Sequence, residues 1–418
     1  MNFDFSDEQN MLRDQAARFL GDRAAPRAIL DGKAAFDRDL WQSMAGLGWM
    51  GTAIPEAHGG LGLGHEELCV IAEELGRTLA PTPFASSVYL ATEAILLAGS
   101  DAQKQTYLPK LARGEAIGCF ALAEGVGAPT PKTIAVTVND GKLRGVKQPV
   151  ADGDVADFAV IVARGGGGLS LCIVNLDAAG VERESVPTVD PTRSHARIAF
   201  DDASAALLGE PGHGWAMTGE ILDRAAVLIA FEQLGGAQAC LDMAVDYARN
   251  RYAFGRPIGS FQAIKHKLAD VYIATEIARS NAYYGAWALA SGAGDLPVAA
   301  AAARVAASTA YNLAARENIQ THGGVGFTWE SDCQLYYRRA KLLSLALGGE
   351  RRWKDRLVSQ LEARNTALTG RDLRWILPTR QKKRPTGPRL RPGSVRTRNP
   401  GTRGAATRPA MATMRCCR

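Results

Sequence analysis

The feature that most constrains this chain is a change of hydrophobic period, made twice. From Ser6 to about Arg113, apolar residues recur at helical spacing, as in EELCVIAEELGRTLA and ATEAILLAGSDAQKQTYLPKLARGE. That spacing buries one face of a helix. From about Ala116 to Gly209 the period falls to two. KTIAVTVNDGKLRGVKQPV reads as a hairpin about Asn139-Asp140-Gly141, and DFAVIVAR, LSLCIVNL and ARIAFDDA read as further strands, with a loop at Gly165–Gly168. From Gly212 to about Thr366 the helical period returns in longer elements. One is expected from about Trp215 to Arg251, one from Ser260 to Ala290, one from Leu296 to Gln320 and one after Trp329. Their faces are rich in Ala and Gly, and small residues let helices approach closely.

A single helical layer cannot absorb a β insert of this length, so the class is α+β. The sequence predicts a helical N-terminal domain over residues 1–115 and a small β-barrel-like middle domain over 116–209. A C-terminal four-helix bundle over 210–365 and a disordered basic tail over 366–418 complete it. Ser6 and Gln9 in SDEQ have the form of a capping box that starts the first helix. AIPEAHGGLGLG reads as a turn region between helical stretches.

Net charge misleads until it is divided along the chain. Residues 371–418 hold fourteen Lys and Arg against one acid, so this tail carries +13 and the remainder −7, for a total of +6. An acidic body gives no reason to expect a nucleic-acid partner. The tail is dominated by Arg, Pro, Gly and Thr and has too little apolar surface to fold. With 46% hydrophobic residues in 418, the rest has ample material for a large core. No apolar run approaches the roughly 20 residues of a membrane span, and the N-terminus has no signal-like apolar region, so a cytoplasmic protein is expected. The seven cysteines form no Cys-x-x-Cys pair, which argues against a metal cluster or disulfide framework. Cys69, Cys119, Cys172, Cys240 and Cys333 read as small buried hydrophobes.

Two stretches can carry chemistry. RYAFGRPIGSFQAIKHK joins two long helices: Arg251 ends one, Gly255, Pro257 and Gly259 make the turn, and Gln262 opens the next. An arginine beside exposed N–H groups at a helix start suits an anion, although helix–helix turns often carry Arg and Gly for structural reasons alone. In NIQTHGGVGFTWESD, Gln320 and His322 end a helix, Gly323 and Gly324 admit close approach, and Phe327 and Trp329 offer apolar faces. The bland alternative is a glycine cap followed by core aromatics.

Taken with FDFSDEQ and IPEAHGGLGL, these stretches stand in an order that resembles the acyl-CoA dehydrogenase family, and the resemblance covers Asn2 to about Leu361. It implies an FAD-dependent enzyme that desaturates an acyl-CoA thioester between Cα and Cβ. A carboxylate takes the α-proton, the β-hydrogen leaves as hydride, and hydrogen bonds polarise the carbonyl. It implies that Arg251, with Phe254 and Gln262, meets the FAD pyrophosphate, and that Gln320, Gly323 and Gly324 line the adenosine-diphosphate portion. It further implies that these residues serve a flavin held largely by a neighbouring subunit, in a homo- or hetero-oligomer. An electron acceptor such as electron-transfer flavoprotein is expected.

This chain departs from that pattern where proton transfer should occur. The usual glutamate precedes the first glycine of a pair; here Leu347 stands there, before Gly348-Gly349. Glu350 follows three residues later, but the turn should point it elsewhere. Some relatives place the base on the first long C-terminal helix before an arginine, which selects Asp223, followed by Arg224. The alternative for Asp223 is a surface carboxylate or a partner for Arg224. Ala123, Pro149 and Ala151 also stand where hydroxyl and aromatic groups usually meet the flavin. Two readings follow: a self-sufficient dehydrogenase with Asp223 as base, or one half of a heteromeric enzyme whose partner supplies the base. Heteromeric relatives acting on bulky acyl-CoAs look similar around HGGVGFTWE. A flavin-dependent monooxygenase on the same fold and a non-catalytic assembly or acyl-CoA-binding subunit are the alternatives in other classes.

Overall fold

The computed structural model describes residues 6–32 and 34–368. The predicted 366–418 tail therefore lies outside the described residues, apart from the last helical positions through Leu368. Six α-helices come first: α1 Asp7–Arg23, α2 Pro26–Gly32, α3 Arg38–Gly46, α4 His65–Arg77, α5 Glu93–Ala98 and α6 Asp101–Ala112. The Ser6 side chain accepts from the Gln9 N–H, and Gln9 returns the bond to the Ser6 N–H, so the capping box is real. A π-helical stretch, Ala85–Thr92, runs directly into α5.

Seven strands follow: β1 Gly118–Ala121, β2 Thr137–Asn139, β3 Lys142–Ala151, β4 Phe158–Gly165, β5 Gly168–Asn175, β6 Val181–Ser185 and β7 His195–Leu208. Asp140 and Gly141 both have positive φ (48° and 72°), which suits the two-residue turn joining β2 to β3. The pairings β4–β2, β2–β3, β3–β7, β7–β5 and β5–β4 close a ring, with β1 added to β4 and β6 to β7. The middle region is thus barrel-like, as the two-residue period predicts. Sequence reasoning missed β1, which is too short to show a period, and β6, whose VERES is exposed along nearly its whole length.

The C-terminal region is helical: α7 Gly214–Asn250, α8 Gln262–Ala290, α9 Leu296–His322, α10 Cys333–Leu345 and α11 Glu350–Leu368. The single helix expected after Trp329 is two, broken where Leu347 and Gly348 take positive φ (61° and 103°). Glycine explains how tightly the layers meet. A Cβ on Gly76 would lie 1.8 Å from the Glu232 carbonyl oxygen, and one on Gly235 1.8 Å from that of Glu73. The α4–α7 crossing is therefore backbone against backbone, which no other residue allows. Cys69, Cys119, Cys172, Cys240 and Cys333 are free and buried. Among the described residues no helix is long and apolar enough to cross a membrane, and no His, Cys, Asp or Glu group could hold a metal.

Candidate functional site

The sequence-selected residues fall into two groups at opposite parts of α7. From Asp223 to Asn250 the helix runs roughly 40 Å at about 1.5 Å per residue.

The first group lies where α7 ends, α8 begins and α9 ends. Arg251 caps α7, its N–H bonded to the Tyr247 carbonyl, and its side chain is exposed. Strands β8, Tyr252–Ala253, and β9, Arg256–Pro257, make a small hairpin. Its turn residues Phe254 and Gly255 both have positive φ, and the Phe254 ring is 95% exposed. Gln262 is the first residue of α8, and Phe261 before it gives no side-chain cap, so the first N–H groups of α8 are free of one. Tyr247 stacks on His322 at 4.1 Å between ring centroids, which ties the end of α7 to the end of α9. Lys267 Nζ, 3.3 Å from Glu317 Oε2, ties α8 to α9. Gln320 is exposed, and a Cβ on Gly323 or Gly324 would meet nothing within 4 Å. Phe327 and Trp329 are 77% and 51% exposed, so the reading of core aromatics after a glycine cap fails. An exposed guanidinium, an uncapped helix start and open glycines form a donor set that fits a nucleotide pyrophosphate. Arg251, Phe254, Gln262, Gln320, Gly323 and Gly324 are thus assembled on one open end of the bundle.

The second group is closed. Asp223 is 2% exposed. Arg356 on α11 clasps it with two hydrogen bonds, Nε to Oδ1 at 2.7 Å and Nη2 to Oδ2. Burial pushes the Asp223 carboxyl above the usual carboxylate range, against the pull of Arg356. The expected alternatives of a surface position or an Arg224 partner are both overturned. Arg224 instead meets Glu93 at 3.4 Å and Glu220 at 3.2 Å, because its side chain leaves α7 toward α5. Glu93 is buried and also lies 2.7 Å from His65 Nε2. Leu347 is half-buried in the turn before α11, and Glu350 is exposed and paired with Lys354 at 2.5 Å.

Several buried charged side chains escaped the sequence reading. Lys147 on β3 is fully buried, 2.6 Å from Glu124 Oε1, and burial pulls its ammonium down to about 8 despite Glu124. The pair sits beside the departures already noted: the Gln148 N–H donates to the Ala123 carbonyl, next to Pro149. Leu143 and Lys147 share a strand face, so alternation places a lysine inward, and that parity was the available signal. Arg304 on α9 is buried without a carboxylate partner among the described residues. It donates to Gln233, Ser308 and the carbonyls of Leu343 and Ala346, and so fixes the end of α10 before Leu347. Arg193, Glu232, Arg339 and Asp190 make a buried ionic cluster between the barrel and α7 and α10, with Arg193–Glu232 and Arg339–Asp190 both at 2.5 Å. Nothing local in the sequence announces either arrangement.

Known proteins share this sequence pattern and fold. The N-terminal domain model of acyl-CoA dehydrogenases matches residues 6–115 and the C-terminal domain model matches residues 212–355. Acyl-CoA dehydrogenase IpdE2 of Mycobacterium tuberculosis is 34% identical over 359 residues, covering 85% of this chain and 98% of that protein. Butyryl-CoA dehydrogenase from Megasphaera elsdenii superposes with a TM-score of 0.79 at 26% identity, over 87% of this chain and 100% of that one. A chain of the ChsE4-ChsE5 complex from Mycobacterium tuberculosis does so with a TM-score of 0.79 at 27% identity, over 87% and 99%.

Proposed function

Since the chain belongs to the acyl-CoA dehydrogenase family, whose members oxidise CH–CH bonds of acyl-CoA, we propose that it is the cofactor-anchoring half of a two-chain FAD-dependent dehydrogenase. A related partner chain supplies the catalytic carboxylate. The observation that carries this reading is the closed state of Asp223 in a chain with Leu347 at the usual base position; the separation along α7, which a homo-oligomer would share, sets the nucleotide-suited end apart from it. The nucleotide-suited end at Arg251 lies roughly 40 Å of helix from Asp223. A nucleotide bound there serves an active site other than the one beside Asp223. The chain's own proton-accepting positions support the same reading, for Leu347 cannot take a proton and Arg356 holds both oxygens of Asp223.

The residues of this chain then divide the work. Arg251 and the first N–H groups of α8 hold the pyrophosphate by charge-assisted hydrogen bonds. Phe254 and Gln262 flank it, and Gln320 with Gly323 and Gly324 receives the adenosine end. FAD, when bound, supplies the hydride acceptor. The exposed Phe254, Phe327 and Trp329 give the partner an apolar surface to cover and exclude water from the cofactor. Electron-transfer flavoprotein, or a protein of like chemistry, takes the electrons onward. A cytoplasmic setting suits the free buried cysteines.

A second reading keeps the chain self-sufficient, with Asp223 as base. One observation favours it: burial makes Asp223 more basic than an ordinary carboxylate, as a general base requires. It needs Arg356 to let go when substrate binds. The decisive experiment purifies the chain alone and with its native partner, then measures FAD per chain and anaerobic flavin reduction by a panel of acyl-CoAs. The proposal expects little flavin and no reduction by the chain alone, and Asp223→Asn to leave reduction by the complex unchanged. A homomeric, FAD-loaded preparation that acyl-CoA reduces, and that Asp223→Asn silences, would overturn it.

A further inference from the structure

Arg352 and Arg356, two of the three arginines in the first two turns of α11, are not equivalent. Arg356 is committed to Asp223. Arg352, one turn earlier on the same face, is half-buried; its backbone N–H donates to the Gly349 carbonyl at 3.0 Å, but its guanidinium donates no hydrogen bond to any described residue. Its place is built rather than accidental. Its stem lies against the Leu347–Gly349 turn so closely that a Cβ on Gly348 would stand 2.6 Å from Arg352 Cδ. Only glycine at Gly348, with its φ of 103°, admits the side chain there. The charges that act on it are Arg356, which is like-charged, and Asp223, already clasped. Two guanidinium groups therefore face one carboxylate in a partly desolvated place, at the positive end of a 19-residue helix. Glu350 does not fill the deficit, because it is exposed and bound to Lys354.

We propose that Arg352, seated on the Gly348 turn beside the Arg356–Asp223 pair, is an anion-binding site for a carboxylate- or phosphate-bearing small molecule. The planar fork of one unpaired guanidinium matches either oxyanion bidentately. Burial weakens the charged form of Arg352, and a bound anion relieves that cost, which gives the site its driving force. The ligand's oxyanion belongs to a free metabolite or to the acyl or phosphate groups of an acyl-CoA. This inference does not depend on which chain supplies the catalytic base.

The test uses the full chain, in its native complex where one is purified, at constant ionic strength set with sodium chloride. Acetate and inorganic phosphate are titrated separately, and the melting temperature and emission of the buried Trp353 are followed. A saturable response to either anion is expected, weakened about tenfold or more in Arg352→Gln. Arg351→Gln, at a neighbour whose side chain is 96% exposed, should respond as the wild type. Acetate alone, or phosphate alone, identifies the oxyanion class, and an acyl-CoA competing with it identifies the larger ligand. Wild-type protein gives a readout free of folding effects: phenylglyoxal should modify Arg352 more slowly when the anion is present, while Arg351 is unprotected. A response equal in Arg352→Gln and wild type, no saturable response to either anion, or equal protection of both arginines would overturn the proposal.

Discussion

The two ends of the Asp223–Asn250 segment of α7 solve opposite problems. At the Arg251 end, polar groups are left without partners among the described residues: an exposed arginine, an α8 start with no side-chain cap and two glycines facing open space. At the Asp223 end, the buried carboxylate is satisfied internally by Arg356, and Arg304 holds the adjoining backbone carbonyls. Unsatisfied groups are costly to bury, and at the Arg251 end they stay exposed, where water or an outside ligand can meet them. The end that has paired them needs neither. The contrast teaches that motif residues from one family pattern can be divided within a single chain between an open surface and a closed core.

The largest expected effect breaks the open end. Arg251→Ala removes a charge-assisted bond to pyrophosphate worth about 1.5–3 kcal/mol, which is roughly 10- to 150-fold in FAD affinity. The side chain has no partner to lose among the described residues, so the melting temperature of flavin-free protein should stay within a degree or so. FAD titration of the assembled protein checks this, and unchanged affinity would remove Arg251 from the site.

The matching change at the closed end should do the reverse. Asp223→Asn leaves Arg356 without its counter-charge. Breaking a fully buried pair costs about 3–5 kcal/mol, but Arg356 is 29% exposed and can turn to water, so about 2 kcal/mol is expected. Denaturant unfolding should show that loss, with FAD content unchanged. A loss of flavin together with stability would join the two ends and weaken the contrast.

How far each end was legible follows from the range of the interactions. The capping box, the β2–β3 turn, the long helices and the barrel strands rest on local pattern, and the structure has them. The Arg251–Gln262 and Gln320–Gly324 stretches were readable because short segments next to helix ends carry their own geometry. Asp223 was readable as a position and not as an environment, since its partner Arg356 lies 133 residues away. Arg304 and the Arg193–Glu232–Arg339–Asp190 cluster were invisible for the same reason: each joins segments that only the fold brings together.

Between the two ends, where α4 crosses α7, Glu74 offers a smaller test through pH. It is 2% exposed, and burial raises its carboxyl from 4.5 to about 7, with Arg77 at 3.5 Å pulling the other way. The folded state therefore holds its proton more tightly than the unfolded state. Between about pH 4.5 and 7 the native protein binds more protons, so this group makes stability fall as pH rises through that window. Glu74→Gln should remove that part of the slope and raise stability at pH 8 by about 1–2 kcal/mol, after allowance for relaxation around the charge. Melting temperatures from pH 5 to 8 decide it: parallel curves for variant and wild type would show that Glu74 is ionised without penalty.

The smallest effect falls closest to the missing base, and that is its use. Glu350 is the only carboxylate in the segment from Leu347 to Lys354, so a family-like base near the usual place would have to be Glu350. Its surroundings say otherwise. It is exposed, it opens α11, and its partner Lys354 lies one turn along the same helix at 2.5 Å. Such exposed pairs contribute about 0.3–0.5 kcal/mol, because solvent screens the charges and both side chains lose freedom. Glu350→Gln should therefore lower stability by less than about 0.5 kcal/mol and leave the rate of flavin reduction by acyl-CoA in the complex unchanged. Removing a general base slows proton transfer by about 100-fold or more. The two outcomes stand far apart, and stopped-flow reduction of Glu350→Gln against wild type separates them. A rate loss of that size would return the proton to the Leu347 turn of this chain and dissolve the division of labour between its two ends.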